Sequence, residues 1–309
     1  MQLPTVENFL CAYDKIGSVV THTPVVKHRD DVFLKPEIHQ VINSFKIRGV
    51  FHAVSQLSEK ERQQGISTVS AGNTAQALAW SGRYFGVPAY SIMPDTAPQT
   101  KIDMVKKYGG TPMLVSMDEV FAYLKEQRWN SDPYAFIHPW TNRDVMMGHG
   151  SIGIEILRDM KDVNSVFVPV GGGGLIAGVA GYIKQAHPHV QIYAVEPLGC
   201  PALHTSIQKQ KPSSVECQTI CDGVAVPYIT EEMYPLLAHV SDKVVLVTEE
   251  DVKKAIRTLA IEHKMIIEPS GALAFAAALQ VPQDERGKCV CILTGGSIDM
   301  DKFVKILQE

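Results

Sequence analysis

The sequence predicts an α/β protein in which a mostly parallel sheet carries helices on both faces. Three observations predict it. Short β-rich runs alternate with helical patterns along the 309 residues, the signature of strands joined by crossover helices. Two of the runs, SVFVPV (165–170) and KCVCILT (288–294), are near-continuously apolar, as strands covered on both faces should be. Three strand-to-helix junctions, VSAGNTAQAL (69–78), PVGGGGLIAGV (169–179) and LTGGSIDMDKF (293–303), carry small residues where open parallel sheets bind ligands, beyond the carboxyl ends of the strands.

In chain order the strand candidates are DVFLK (31–35), GISTVS (65–70), AYSIM (89–93), TPMLVS (111–116), SVFVPV, QIYAVE (191–196), KVVLVT (243–248) and KCVCILT. Ser44 is placed to cap a helix whose apolar positions are Val50, Phe51, Val54 and Leu57, and Thr248 to cap another over Asp251–His263. No linker rich in Pro, Gly and Ser separates the elements, so any two domains must be tightly joined.

Composition excludes several classes. A net charge of -4 gives no electrostatic footprint for nucleic acid or an anionic membrane. No run approaches the roughly 18 apolar residues of a membrane span. The first residues, MQLPTVENFLCAYDKIG, carry Glu7 and Asp14 and lack a basic start followed by an apolar block, so a secretory signal is not expected. The six cysteines (Cys11, Cys200, Cys217, Cys221, Cys289 and Cys291) are scattered, with no CxxC pair. They predict free thiols in a reducing cytoplasm rather than a disulfide scaffold or a metal site.

The chemistry concentrates at the junctions. Gly171, Gly172, Gly173 and Gly174 follow a strand and lead into the helical LIAGVAGYIKQA. Four glycines let several backbone N–H groups converge at a helix N-terminus, where the dipole also favours an anion; a tight turn alone needs only one or two. The run is neither GxGxxG nor a P-loop ending in GK[ST], so a phosphate outside the common nucleotide motifs fits it best. Ser70, Ala71, Gly72, Asn73 and Thr74 form a second amide-rich turn suited to a carboxylate, although any helix cap looks similar. In INSFKIRGV (42–50), Lys46 stands between Phe45 and Ile47. In the first turn of a helix, the dipole and desolvation both lower its pKa and make it a better nucleophile or imine former. Arg48, two residues on, cannot share its face and reads as a structural cation. An imine-forming lysine together with a phosphate cradle points to pyridoxal 5'-phosphate, which carries an aldehyde, a phosphate and an electron-withdrawing ring.

The motifs SFKIRG (44–49), SAGNTAQ (70–76), GGGGL (171–175), EPSGA (268–272) and LTGGSID (293–299) occur in the order of the fold-type II pyridoxal-phosphate enzymes. The chain resembles most the threonine dehydratase and serine racemase branch, essentially end to end, including HTPVV (22–26) and MPDTAPQTKIDMVKKYGG (93–110). The resemblance implies two open, twisted, mostly parallel sheets flanked by helices, as in the tryptophan-synthase β-like fold. It also implies a large cofactor-binding domain over 1–64 and 139–309 and a small substrate-binding domain over 65–138. Lys46 would hold the cofactor as a Schiff base and then act as base at Cα, and Phe45 would pack on the ring. Gly171 to Gly174 with Leu175 would bind the phosphate, Asn73 the 3-oxygen, and Thr294 would meet the pyridine nitrogen. Gly223 and Glu268 would line the pocket. Ser70, Ala71, Gly72, Asn73 and Thr74 would bind the substrate carboxylate.

Departures from the family pattern narrow the activity. Ala71 replaces the serine that racemases use as the acid on the opposite face of Cα, and Thr74 replaces a usual histidine. The region MDEVFAYL (117–124) offers no arginine for a side-chain carboxylate. Glu196 matches one acid of the branch's divalent-cation site, but Ala202 stands where the second is expected, so no metal is expected. The chain ends ten residues after Asp299, leaving no regulatory domain in this sequence and no expectation of feedback control. The expectation is a dehydratase that converts a neutral β-hydroxy amino acid, of the threonine, serine or 3-phenylserine type, to a 2-oxo acid and ammonia. Racemisation or β-replacement on the same cofactor stays open, as does a non-enzymatic phosphate-binding protein. The partners implied are an amino-acid substrate and a second copy of the chain, with neither nucleic acid nor membrane.

Overall fold

The computed structural model describes all of residues 1–309. Its ten strands are β1 (Val26–Lys27), β2 (Val32–Pro36), β3 (Ile66–Val69), β4 (Ala89–Pro94), β5 (Thr111–Val115), β6 (Ala135–Phe136), β7 (Ser165–Pro169), β8 (Gln191–Pro197), β9 (Lys243–Val247) and β10 (Cys289–Leu293). They form two sheets, one ordered β1-β2-β10-β7-β8-β9 and the other β5-β4-β3-β6. Every pairing is parallel except β1 with β2. All eight strand candidates appear, within a residue of their expected ends. The two-residue β1 and β6 are too short to carry a periodic signal.

β7 and β10 are buried along their whole length, because helices cover both faces of the larger sheet. On one face lie the helices Arg143–Asp159 and Gly174–Ala186, whose Ile152, Ile156, Ile176 and Val179 share a core with Val166 and Val168 of β7. On the other, Glu249–His263 and Pro269–Gln280 pack on Phe167 and Tyr193. No helix is long and apolar enough to cross a membrane.

The helix Lys46–Gln56 starts one residue later than the Ser44 cap implied. Phe45 is its N-cap, without a side-chain cap bond, while the Ser44 hydroxyl accepts from Lys46 N–H at 3.4 Å and donates to Thr294 O at 3.2 Å. The exit of β10 claims Ser44, and Phe45 N–H also donates to Thr294 O, at 3.1 Å. Thr248, by contrast, caps Glu249–His263 as expected, accepting from Asp251 N–H.

Arg48 fixes this helix in place. Its side chain is fully buried. Nε and Nη2 donate to the two Glu37 oxygens at 2.6 and 2.9 Å, and Nη1 and Nη2 donate to the two Glu155 oxygens at 2.7 and 2.9 Å. Lys35 Nζ reaches Glu155 at 2.7 Å, so two cations balance two carboxylates. Burial alone would raise the Glu37 carboxyl; the Arg48 charge and hydrogen bonds overcome it and hold the group below its usual range. The same helix meets Arg143–Asp159 backbone to backbone. A Cβ on Gly148 would stand 2.3 Å from Arg48 O, and one on Gly49 would stand 2.6 Å from Val145 O.

One expectation fails. Cys200 and Cys217 form a disulfide with Cα atoms 4.4 Å apart, in a loop where Gln218 N–H donates to Gly199 O. A sequence separation of 17 hid the pairing, since tertiary folding and not local spacing brings the thiols together. Cys11, Cys221, Cys289 and Cys291 are free.

Arg48→Met leaves Glu37 and Glu155 buried without their shared partner and should lower unfolding free energy by about 3–5 kcal/mol. Gly148→Ala should cost about 1–3 kcal/mol through overpacking. Denaturant unfolding followed by circular dichroism measures both; a Gly148→Ala midpoint equal to wild type would mean the helix crossing yields.

Candidate active site

A cavity of about 270 Å³ opens at the carboxyl ends of β3, β7 and β10. Every residue expected to meet the cofactor or the substrate lines it: Phe45, Lys46, Ser70, Ala71, Gly72, Asn73, Thr74, Gly171, Gly172, Gly173, Gly174, Leu175, Gly223, Glu268 and Thr294. Glu196 does not. Its carboxylate is buried and accepts from Leu203 and His204 N–H at 2.7 and 2.8 Å, capping the helix Ala202–Lys209. Burial raises its pKa to about 7.

The glycine run leaves β7 and enters the helix Gly174–Ala186 with Gly173 at φ 92°, a left-handed conformation that glycine adopts without strain. Side chains are excluded here by neighbours: a Cβ on Gly172 would meet the Trp140 ring at 2.4 Å, and one on Gly173 would meet Leu237 at 2.5 Å. Val170 N–H donates to Val195 O and Ala177 N–H to Gly173 O, but the amides from Gly171 to Leu175 donate to no protein group. Unpaired donors at a helix N-terminus are an anion site. The turn after β3 repeats the arrangement on a smaller scale. Ser70 Oγ accepts from Gly72 N–H at 3.1 Å, and the amides of Asn73 and Thr74 have no protein acceptor.

Between the two turns stands Lys46, at the first position of its helix, with Nζ 5.0 Å from the centre of the Phe45 ring. Phe45 is held from behind by His149, ring centres 4.7 Å apart. Burial lowers the Lys46 pKa to about 8, against an opposing pull from Glu268. Burial likewise raises Glu268 to about 7, reinforced by Asp222 and opposed by a hydrogen bond from Asn73; Asn73 Nδ2 donates to Glu268 Oε1 at 2.9 Å. Two oppositely charged groups are thus both pushed toward neutrality, a pattern common where protons move. Gly223 N–H donates to Ser270 Oγ at 2.9 Å, which fixes that wall.

Sequence reading missed several lining residues. Lys101, from the helix Gln99–Lys107 beside the smaller sheet, pairs with Asp222 across the cavity rim. Lys101 lies inside the segment MPDTAPQTKIDMVKKYGG and Asp222 precedes Gly223, so both sat beside motifs already noted. Trp140 had no signal, since its role is to back the glycines.

These residues fit pyridoxal phosphate: an acceptor-free amide cradle, an amine and an adjacent aromatic ring converge on one cavity. The profile of the family described as "Pyridoxal-phosphate dependent enzyme" matches residues 18–295. The chain is 38% identical to an L-threonine ammonia-lyase of Geobacter sulfurreducens over 90% of this chain and 70% of that protein. It is 37% identical to an L-threonine ammonia-lyase of Thermotoga maritima over 96% of this chain and 73% of that one. Among solved structures it is similar to the processed form of threonine deaminase isoform 2 from Solanum lycopersicum, with a TM-score of 0.89 and 33% identity over 98% and 92% of the two chains. Maize serine racemase superposes with a TM-score of 0.92 at 28% identity, over 99% and 98%.

Lys46 should therefore be mostly neutral above about pH 8. Its reaction with pyridoxal phosphate, trapped by borohydride reduction, should rise to a plateau near that pH instead of climbing toward 10.5. Glu268→Gln removes an anion that favours the charged amine, so the plateau should begin at lower pH. A wild-type profile still rising between pH 9 and 10 would contradict the lowered value.

Proposed function

The chain belongs to the pyridoxal-phosphate dependent enzymes, and from that premise we propose that it dehydrates a neutral β-hydroxy amino acid of the threonine, serine or 3-phenylserine type. The observation that carries the proposal is the Lys46 amine, with its lowered pKa, in one cavity with the acceptor-free glycine amides. The enzyme is a lyase of the ammonia-lyase kind. Pyridoxal phosphate, when bound, supplies the electron sink that lets the Cα–H bond break heterolytically.

The chain's residues supply the rest. The amides of Gly171 to Leu175, which have no protein acceptor, would hold the phosphate, and Phe45 would wall the ring. Thr294, which lines the cavity, would offer the ring nitrogen a hydroxyl and not a carboxylate, which would keep the sink weak and favour prompt loss of the β-hydroxyl. Ser70, Gly72, Asn73 and Thr74 orient the substrate carboxylate through amides and hydroxyls. Neutral Lys46 takes the Cα proton; a positioned general base is worth about 10²–10⁴-fold. The β-hydroxyl would take up one proton, balancing the one that Lys46 removes from Cα, and leave as water; one water is then consumed as ammonia is released, so the net products are a 2-oxo acid and ammonia.

Two features support a neutral substrate. No arginine lines the cavity, and Lys101 is already paired with Asp222. Ala71 lines the cavity without a hydroxyl, which supports elimination over racemisation; the likeness to serine racemase is the observation that favours the second reading. A large domain over 1–64 and 139–309, a small domain over 65–138, a homodimer and a cytoplasmic location complete the proposal.

Oxo-acid and ammonia release should be found with at least one of serine, threonine and 3-phenylserine and be weak with 3-hydroxyaspartate. Lys46→Ala should lower the rate by at least about 10²-fold and abolish the visible band of the bound cofactor. Ala71→Ser should increase formation of the opposite enantiomer from serine. Absence of oxo acid from all four substrates would overturn the dehydratase assignment.

A further inference from the structure

Away from the cavity, the turn after β1 brings His28 against the end of the Glu249–His263 helix. His28 Nδ1 lies 2.9 Å from His263 Nε2 and 3.5 Å from a Glu262 carboxylate oxygen. The three ligand atoms stand within 4.8 Å of one another. The His28 side chain is 1% exposed and that of Glu262 53%, so the group is closed behind and open to solvent in front. Phe275 meets the His28 ring edge-on at 4.8 Å and fixes its plane. The buried Nε2 of His28 has no hydrogen-bond partner, so the ring is not anchored from its far side. None of the three residues lines the cavity around Lys46.

We propose that His28, Glu262 and His263 form a binding site for a first-row transition ion such as Zn²⁺ or Co²⁺, with water completing the coordination. Two imidazoles and one carboxylate are the donor set these ions take, whereas calcium and magnesium seek oxygen ligands. A tetrahedral ion with bonds of about 2.0–2.1 Å spaces its ligand atoms about 3.3 Å apart. The observed 2.9 and 3.5 Å separations bracket that spacing, and the exposed Glu262 side chain can turn to close the third, which lies within 4.8 Å. Bound there, it ties the β1–β2 hairpin to a helix end 235 residues along the chain. The ion acts on stability, since it binds the folded arrangement and not the unfolded chain. The bland alternative is a simple hydrogen bond between two imidazoles, which would bind no metal.

The test uses the full chain with pyridoxal phosphate bound, stripped by a chelator and titrated with Co²⁺ and then Zn²⁺. The expected result is one Co²⁺ per chain with a visible ligand-field band, displacement by Zn²⁺, and a melting temperature that rises with Zn²⁺. His263→Ala should weaken binding by about 100-fold and Glu262→Gln by about 10-fold, with oxo-acid formation unchanged. The double variant His187→Ala/His189→Ala, which removes the imidazole pair at the end of the Gly174–Ala186 helix, should bind as wild type does. Glu262 is exposed, so Glu262→Gln reads the site even if His263→Ala lowers stability. Less than one ion per wild-type chain, or equal affinity in wild type and Glu262→Gln, overturns the proposal.

Discussion

The structure depends on the two-sided grip of Arg48. One guanidinium forks onto Glu37, just past the end of β2, and onto Glu155 of the Arg143–Asp159 helix. A buried charge left alone is costly, but here each carboxylate is matched and hydrogen-bonded, and Lys35 completes a neutral quartet. The grip contributes geometry more than net energy. It sets the rotation of the Lys46–Gln56 helix, and because residues two apart point to different faces, turning Arg48 into the core turns Lys46 toward the cavity.

The cavity then handles charge with few charges of its own. Anions would be met by the unpaired backbone amides of two turns, whose dipoles are fixed by the fold and need no reorganisation. The two titratable groups closest to the chemistry, Lys46 and Glu268, are drawn by burial toward neutral forms, with values of about 8 and about 7. A proton can therefore reside on or leave either one near neutral pH. Asn73 sits between these roles, since it heads the helix after β3 and donates to Glu268.

Much of this was legible in the sequence, for a physical reason. A strand buried on both faces must be apolar throughout, so SVFVPV declared itself. A phosphate cradle needs bare backbone, so four glycines in a row are hard to explain otherwise. Lys46 between Phe45 and Ile47 announced a desolvated amine. What stayed hidden depends on contacts distant in sequence. The Cys200–Cys217 bond, the cluster of His28 with Glu262 and His263, and Trp140 behind Gly172 have no local pattern. The cap at Phe45 was misplaced by one residue because β10, some 250 residues on, competes for the Ser44 hydroxyl.

The close passage of Gly49 and Gly148 has a mechanical consequence. Where two helices meet through side chains, rotamers can shift and absorb a small displacement. Here Gly148 rests on the Arg48 backbone, and Gly49 on the Val145 carbonyl and the buried His149 ring, so little between them can yield. The Arg143–Asp159 helix thus serves as a rigid datum, and any movement of it is delivered undamped, three residues away, to the amine at the head of the neighbouring helix.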